Sequence, residues 1–241
     1  MKLYYEILYS GIFGKFLYGN EAIAASAPAY YGLYLGALVL IAVGAYFLGC
    51  LNFGIILSKN KFHEDIRTKG SGNAGATNML RTYGLKVAAV TFIGDAMKAV
   101  VSVAVGMLVL GGIGGYTAAL ACMIGHAYPC IYGFKGGKGV AVTAGSILML
   151  DWRLFLILVV MFALIVWWTR FISLGSVTVF FAFPLLLSAL NGGRVPSLCI
   201  MLALLMSALG IYFHRSNIKR IYNGTENKVS FKSKKKDSED E

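Results

Sequence analysis

A glycine-rich stretch in the first half of the chain has the residue types that bind phosphate. It reads GSGNAGATN over residues 70–78 and is soon followed by an arginine. Glycines let a backbone turn sharply and present successive N–H groups to an anion, and arginine can hold a phosphate with two parallel hydrogen bonds. A flexible loop that binds nothing is the competing interpretation. The candidate ligand-binding residues are Gly70, Ser71, Gly72, Asn73, Thr77, Asn78 and Arg81.

A second glycine-rich stretch, GFKGGKGV at residues 133–140, carries two lysines and leads directly into an apolar segment. A helix that starts there would direct its free N–H groups and its positive dipole end toward an anion. We expect Lys138 to bind phosphate and Lys135 to act more as a membrane-surface anchor. Neither stretch has the GxxxxGK[ST] spacing of an ATP-binding P-loop, so an ATP-dependent mechanism is not predicted. The glycines expected to shape this site are Gly136, Gly137 and Gly139.

A third polar segment, HRSNIKRIYNGTE at residues 214–226, follows the last apolar run. His214, Asn217 and either Arg220 or Lys219 are spaced about three residues apart, which places them near one face of a short helix. Glu226 is available as an ion-pair partner for one of the arginines. The composition indicates a third part of a binding site.

Ionisable groups also occur within apolar sequence. Asp95 and Lys98 are three residues apart in a predicted membrane span and can pair. Because charges within a membrane are costly, such a pair suggests function, but a structural pair facing the interior of the helix bundle fits equally well. We expect His126, in the GHAYP sequence before the second stretch, to be a packed and hydrogen-bonded residue and not a catalyst.

The elements that must position these stretches are membrane helices. The chain is 58% hydrophobic and 14% charged, with a mean hydropathy of +0.70, which is too apolar for a soluble domain and indicates an all-α polytopic membrane protein. Residues 1–28 are predicted to form an interfacial segment, residues 29–226 a seven-helix domain, and residues 227–241 a charged, disordered cytoplasmic tail. The seven predicted spans, the fourth of them short or broken, are 32–57, 87–110, 116–132, 139–150, 153–169, 171–190 and 195–213.

Basic residues set the predicted orientation. Seven spans divide the polar segments into two sets. One set holds 17 Lys and Arg, nine of them between residues 59 and 170 and eight from Arg215 onward, and the other holds Lys2, Lys15, Arg153 and Arg194. The positive-inside rule places the richer set in the cytoplasm. We therefore predict an external N-terminus, a cytoplasmic C-terminus, and all three polar stretches at the cytoplasmic face, near membrane lipids and not nucleic acid.

Together the polar stretches resemble the PlsY family of bacterial acyl-phosphate:glycerol-3-phosphate acyltransferases. The similar segments are DIRTKGSGNAGATNMLR at 65–81, GHAYPCIYGFKGGKGVAV at 125–142, RFISLGS at 170–176 and HRSNIKRIYNGTE at 214–226. Where the family has GSIPFG, residues 49–54 read GCLNFG, with Cys50 for serine and Asn52 for proline. Ala99 replaces the glycine of a DxxKG element. A thiol donates a weaker hydrogen bond than a hydroxyl, so no role is transferred to Cys50.

The resemblance implies a cell-membrane enzyme that transfers a fatty acyl group from acyl phosphate to glycerol 3-phosphate. The products would be 1-acylglycerol 3-phosphate (lysophosphatidic acid) and phosphate, in the first acylation of bacterial phospholipid synthesis. The general base would be His214 or the substrate's own phosphate, and the resemblance favours the phosphate. A monomer without cofactor or metal is expected, and a membrane transporter of an organic phosphate is the alternative. The resemblance assigns phosphate contacts to Ser71, Arg81, Lys138, Ser176, His214 and Asn217, and the acyl-phosphate end to Gly136, Gly137 and Gly139.

The histidines bear on the choice of acyl donor. Acyltransferases that use thioester donors typically have an HxxxxD pair, in which the carboxylate orients the histidine as a base. The residues five positions after the three histidines here are Thr68, Ile131 and Lys219. The sequence therefore favours acyl phosphate over acyl-CoA.

Overall fold

The computed structural model describes residues 2–229, with side chains from residue 10 onward. Within these residues the chain forms α-helices and two 3-10 helices, Ile66–Thr68 and Cys130–Tyr132, and no strand. The prediction of an all-α fold is confirmed. The α-helices are α1 (Lys2–Gly19), α2 (Glu21–Ala24), α3 (Ala27–Cys50), α4 (Phe53–Phe62), α5 (Ala76–Tyr83), α6 (Leu85–Ala127), α7 (Val140–Leu150), α8 (Trp152–Thr169), α9 (Ile172–Asn191), α10 (Ser197–Phe213) and α11 (Arg215–Tyr222).

Several of these helices are long and apolar enough to cross a membrane. Many of their large apolar side chains point outward, and Trp168, for example, is 86% exposed. Such a surface matches lipid and not water, so the chain is a multi-pass membrane protein. Among the described residues the candidate spans are Ala27–Phe62, Leu85–Tyr132, Trp152–Thr169 and Ile172–Asn191, with a fifth if Ser197–Phe213 and Arg215–Tyr222, bent by 52°, count as one.

The predicted first span is interrupted in the structure. α3 ends at Cys50, and Leu51 and Asn52 leave the helical conformation. The Asn52 side chain accepts a hydrogen bond of 3.1 Å from the backbone N–H of Ile55, which caps the start of α4. The break frees carbonyls at the end of α3 for other partners.

The predicted second and third spans are two arms of α6. Backbone angles at Leu110 and Gly111 are not helical, and Gly111 has a φ of 59°, which glycine adopts without strain. Beyond this break, Gly114 lies so close to Gly106 that a Cβ on either glycine would overlap the carbonyl of the other. The arms are therefore antiparallel. The second arm ends at Ala127, five residues earlier than predicted, because a proline follows two residues later.

The remaining helices complete a bundle around the arms of α6. α7 has 11 residues and is about 16 Å long, roughly half the thickness of the hydrocarbon layer, as the short fourth span predicted. α8, α9 and α10 begin within two residues of their predicted starts. The core is built from side chains of α3 and α6 to α10, with Phe180, Phe183 and Met206 among the largest buried members.

The predicted interfacial segment contains α1 and α2. Gly11, with a φ of 68°, rests on the turn of α6, because a Cβ there would overlap the backbone of Val109 and Leu110. Leu17 is fully buried. α1 therefore packs on the turn of α6. Most of the predicted disordered tail, residues 230–241, lies outside the described residues.

Candidate active site

The first glycine-rich loop, between the 3-10 helix Ile66–Thr68 and α5, is organised by Asn78. This side chain is 1% exposed, and its amide nitrogen donates to three loop carbonyls at 3.0–3.2 Å. Its Oδ1 accepts from the backbone N–H of Ser71 at 2.9 Å. Gly70 and Gly72 supply the turns, with φ of 56° and 72°. Asn78 therefore shapes the loop, and the loop holds the Ser71 hydroxyl in position.

The second glycine-rich loop uses part of its backbone for its own fold. The N–H of Gly136 donates to the Ala127 carbonyl at 3.0 Å, and the N–H of Gly137 donates to the His126 carbonyl at 3.1 Å. These two donors are not free to hold an anion. Gly139, with a φ of 81°, starts α7, whose first-turn N–H groups have no intrahelical acceptors. The start of α7 is thus the part of this loop whose N–H groups could bind an anion.

An arginine ties the two glycine-rich loops together. The Nη1 atom of Arg67 donates to the carbonyl of Tyr132 at 2.6 Å and to that of Lys135 at 3.1 Å. Its Nη2 atom forms an ion pair of 2.7 Å with Asp65. These contacts of Arg67 fix the first loop relative to the second, although the two are about sixty residues apart in sequence.

The third polar segment meets the second loop through a chain of hydrogen bonds. Lys138 Nζ donates to Asn217 Oδ1, and Asn217 Nδ2 donates to Glu226 Oε1 at 2.7 Å. Glu226 also accepts from Ser173 Oγ at 2.8 Å and from Arg220 Nε at 2.7 Å, which confirms the predicted ion pair. Burial opposes ionisation of this carboxyl, but the three donors more than offset it and hold the pKa of Glu226 below its usual value. Asn217 therefore links Lys138 to an anionic anchor.

Electrostatics at Lys138 favour binding of an anion. Burial, and then the charge of Arg220, lower the pKa of Lys138 to about 8. Arg81 and Arg215 act in the same direction, and Glu226 opposes them. An arriving phosphate would restore the balance of charge around the ammonium.

His214 and Ser176 complete the polar wall. The Nδ1 atom of His214 lies 2.7 Å from the Gly210 carbonyl, and a carbonyl only accepts, so Nδ1 carries the hydrogen. The Ser176 hydroxyl donates to the Ile172 carbonyl at 3.0 Å and keeps its lone pairs available. Both side chains are buried against the cavity described next.

These segments enclose one cavity of about 500 Å³. Asp95, His126 and Ser173 also line it, although no motif assigned them to ligand binding. For His126, the only signal was its place directly before the second loop. Gly70, Gly72, Gly136 and Gly137 do not line the cavity; their role is to shape the loops. The predicted site residues in the lining are Ser71, Asn73, Thr77, Asn78, Arg81, Lys138, Gly139, Ser176, His214 and Asn217.

A family model described as glycerol-3-phosphate acyltransferase matches residues 39–224 of the chain. A protein of Clostridioides difficile with the same name is 39% identical over 200 residues, which covers 80% of this chain and 96% of the relative. The relative in Halalkalibacterium halodurans is 40% identical over 197 residues, again 80% and 96%. The chain belongs to the glycerol-3-phosphate acyltransferase family.

Two solved structures are similar to this chain in both fold and sequence. The crystal structure of PlsY (YgiH), an integral membrane glycerol 3-phosphate acyltransferase, in its glycerol 3-phosphate form has a TM-score of 0.75 and 33% identity to this chain, covering 80% of it and 96% of that protein. The lysophosphatidic acid form of the same protein has a TM-score of 0.73 and 32% identity, covering 80% and 95%. Both are similar to this chain in fold and sequence over 80% of its length.

The apolar side of this acyltransferase site is a groove that continues from the cavity. Phe92, Val140, Phe162 and Ser176 line both spaces. The groove encloses about 110 Å³ and is lined almost entirely by apolar atoms. It extends along α7 as far as Ile147. Its shape and chemistry suit a hydrocarbon chain whose polar head lies at the start of α7.

Beneath the acyltransferase cavity lies a buried polar network. Lys98 Nζ and Asp95 Oδ1 form the predicted ion pair at 2.8 Å. The ammonium also donates to the freed carbonyls of Gly49 at 2.8 Å and Leu51 at 2.7 Å. His126 lies against the same pair, with Nδ1 3.0 Å from Lys98 Nζ. The expectation that His126 is packed and hydrogen-bonded is confirmed, and the network closes the break between α3 and α4.

Proposed function

We propose that this chain transfers a fatty acyl group from acyl phosphate to glycerol 3-phosphate, forming 1-acylglycerol 3-phosphate and phosphate. One observation carries the proposal: cations from three distant segments, at Arg81, Lys138 and Arg220, meet in a cavity that continues into an apolar groove. The cations fit two phosphate groups, and the groove fits one acyl chain. Membership of the acyltransferase family supports the same reaction.

The chemistry needs little more than positioning and charge. The acceptor hydroxyl of glycerol 3-phosphate attacks the acyl carbonyl carbon, an ester bond forms, and the bond from that carbon to the phosphate oxygen breaks. Phosphate leaves with the electron pair, so no covalent enzyme intermediate is required. Lys138, Arg81 and the start of α7 hold two anions together against their repulsion and stabilise the charge that develops at the carbonyl. Ser71 acts as a donor and not as a nucleophile.

We assign the general base to the phosphate of glycerol 3-phosphate. This group is separated from the attacking 1-hydroxyl by a flexible three-carbon chain, which can fold to bring the two together, and it is charged at neutral pH. The Nδ1–H of His214 donates to the Gly210 carbonyl, so Nε2 presents a lone pair and contacts the substrate phosphate by accepting from a protonated phosphate oxygen. In this assignment Asn217 holds Lys138, and Ser176 adds a contact to the phosphate.

The proposed topology has seven crossings, with the N-terminus outside and the C-terminus and active site in the cytoplasm. The crossings are α3–α4, the two arms of α6, and α7 to α10. Two crossings separate each loop of the site from the next, so all loops return to one face, where most of the Lys and Arg residues lie. The catalytic domain is residues 29–226, and the interfacial segment 1–28 and the charged tail 227–241 flank it. The enzyme is proposed to act as a monomer.

The decisive experiment uses the full-length protein, purified in detergent and returned to lipid. With palmitoyl phosphate and radiolabelled glycerol 3-phosphate, we expect labelled lysophosphatidic acid and the release of one phosphate per product. A folded protein that gives no labelled lipid, but carries glycerol 3-phosphate into sealed vesicles, would contradict the proposal and favour transport. The helix-end position of the site argues against transport, because transporter sites lie near the middle of the membrane.

A further inference from the structure

His126 stands between the buried network and the cavity. It lies at the end of the second arm of α6 and is 2% exposed. Its Nδ1 edge faces Lys98 Nζ at 3.0 Å, Asn52 Nδ2 at 3.4 Å and Asp95 Oδ1 at 3.4 Å. The opposite edge, with Nε2, faces Gly137, since a Cβ on that glycine would overlap Nε2. Each ring nitrogen therefore has a distinct environment.

The surroundings of Nδ1 decide which nitrogen carries the hydrogen. Asn52 Oδ1 accepts from the N–H of Ile55, so the Asn52 amide turns its NH₂ toward His126. The Lys98 ammonium has only hydrogens to offer. Asp95 Oδ1 lies 3.4 Å from Nδ1, but it is paired with Lys98 at 2.8 Å and accepts from the N–H of Phe53 at 3.3 Å. A hydrogen on Nδ1 would therefore point against the two donors, Lys98 and Asn52. The ring is therefore neutral, with a lone pair on Nδ1 and its hydrogen on Nε2.

The Nε2 atom of His126 has no hydrogen-bond partner among the described residues and keeps a small exposure beside Gly137. The hydrogen bonds of the His126 ring within the described residues involve Nδ1. Ser146 Oγ is the one fully buried side-chain polar atom in that part of the chain without a partner, so Nε2 is not sealed from the cavity. His126 lines the cavity together with Lys138 and Gly139. An oriented donor without charge is thus placed beside the anion-binding loop.

We propose that His126 is a substrate contact, in which the Nε2–H donates a hydrogen bond to an oxygen of the acyl phosphate group. Lys98 and Asn52 are positioning residues that hold the ring in the required tautomer. A neutral donor adds to the binding of the anion without adding to the repulsion among the cations of the site. The inference rests on the proposed function, because it assigns the acyl phosphate to the Lys138 end of the cavity.

Two substitutions separate a donor to substrate from a packing residue. In His126→Gln, the side-chain amide reaches the position of Nε2 and can still donate into the cavity, but the acceptor for Lys98 is lost. In His126→Asn, the shorter amide reaches the position of Nδ1 and can still accept from Lys98, but the donor to the cavity is lost. A substrate contact favours the Gln variant, and a purely structural role favours the Asn variant.

The expected result is a split between the two variants in kcat/KM for palmitoyl phosphate. We expect His126→Asn to lose about ten- to one-hundredfold, the usual effect of a hydrogen bond to a charged group, and His126→Gln to lose only a few fold. The KM for glycerol 3-phosphate should change little in either variant. Equal losses, or a greater loss in His126→Gln, would overturn the inference. Absence of turnover in the unsubstituted protein would instead contradict the proposed function.

A second measurement needs no substitution and does not depend on how the variants fold. The chain has three histidines, so nitrogen-15 NMR of the histidine-labelled full-length protein can resolve each ring. We expect His126 to carry its hydrogen on Nε2, and the Nε2 signal to shift when hexadecylphosphonate, a stable analogue of the acyl phosphate, is added. A hydrogen on Nδ1, or an Nε2 signal that the phosphonate leaves unchanged, would refute the contact.

Discussion

The two lysines of the second glycine-rich loop provide a matched test of how the site holds phosphate. Lys138 and Lys135 are three residues apart, but only Lys138 lines the cavity, where its Nζ donates to Asn217 Oδ1. The Lys135 side chain is exposed, and its backbone carbonyl accepts from Arg67 whichever side chain it carries. Lys138→Ala should therefore abolish most of the activity, and Lys135→Ala should leave it nearly unchanged.

The size of the loss follows from the charges involved. An ammonium about 4 Å from one phosphate charge contributes about 4 kcal/mol at an effective dielectric constant near 20. A hydrogen bond to a charged group contributes about 1.5–3 kcal/mol by mutational measurement, which sets the lower bound. We expect kcat/KM to fall by a factor between about ten and one thousand in Lys138→Ala, since about 1.4 kcal/mol corresponds to tenfold. For Lys135→Ala we expect less than about a twofold change, as is usual for exposed charges.

The pKa of Lys138 adds a pH signature. Burial and the neighbouring Arg220 lower this pKa to about 8, so the free enzyme loses the positive charge as the pH rises through that value. The charged form binds phosphate, and therefore kcat/KM should decline above about pH 8. Bound phosphate favours the ammonium and raises its pKa, so kcat should decline only at higher pH. Lys138→Arg, which stays charged, should lose the decline near pH 8 while retaining part of the activity.

The assay is the release of labelled lysophosphatidic acid by detergent-purified variants, with thermal unfolding measured alongside to establish that each is folded. Rates at saturating and at limiting acyl phosphate, between pH 6 and 10, separate kcat from KM. If Lys135→Ala caused the larger loss, the assignment of the two lysines would be reversed. A flat kcat/KM from pH 7 to 10 would refute the charge-based account of Lys138.

Four other predictions follow from the same geometry. In a background without other cysteines, a cysteine at Asn191 should react with an impermeant thiol reagent from outside the cell and one at Asn73 only from inside; the reverse pattern contradicts the seven-crossing topology. The enzyme should use palmitoyl phosphate and not palmitoyl-CoA, and comparable rates with the thioester would exclude the donor assignment. Glu226→Gln turns an amide N–H toward Arg220 and should lower the free energy of unfolding by about 1–3 kcal/mol, together with activity; an unchanged unfolding temperature would show that the carboxylate is not needed. His214→Gln keeps a hydrogen bond to the substrate but cannot accept a proton, so it should retain more than about one per cent of kcat if the substrate phosphate is the base, whereas a loss of ten-thousandfold would identify His214 as the base.

The sequence predicts that the three polar stretches lie together, because the predicted order of the membrane spans brings them to one face. In the predicted topology, basic residues mark the cytoplasmic loops, and an even number of crossings separates each polar stretch from the next. Spacing within the third segment was also informative, since His214, Asn217 and Arg220 all line the cavity. The pairing of Asp95 with Lys98 followed from their spacing on one helix. These features are local in sequence or depend only on the order of the spans.

The division of roles among the polar residues could not be predicted because it depends on partners distant in sequence. Gly136 and Gly137 were expected to shape the acyl-phosphate end of the site, but the sequence did not show that carbonyls of the second arm of α6 accept from both of their N–H groups. Asn78 was expected to contact substrate, but its amide atoms are used to shape the loop. His126 was expected only to pack, yet one edge of its ring reaches the cavity. In each case, composition identified a polar group and not its partner.

The arrangement of charges explains why an apolar chain can keep several cations so close together. The carboxylate of Asp95 is matched by Lys98 within the network beneath the cavity, and Glu226 is shared among Asn217, Arg220 and Ser173. Neither carboxylate forms a direct ion pair with Lys138, whose ammonium bonds to a neutral amide. The site therefore carries positive charge that protein groups do not fully balance, and this charge adds to the effect of burial in lowering the pKa of Lys138. Bound phosphate supplies the missing negative charge. The surplus positive charge that makes the Lys138 ammonium easier to deprotonate therefore also strengthens the affinity of the site for substrate.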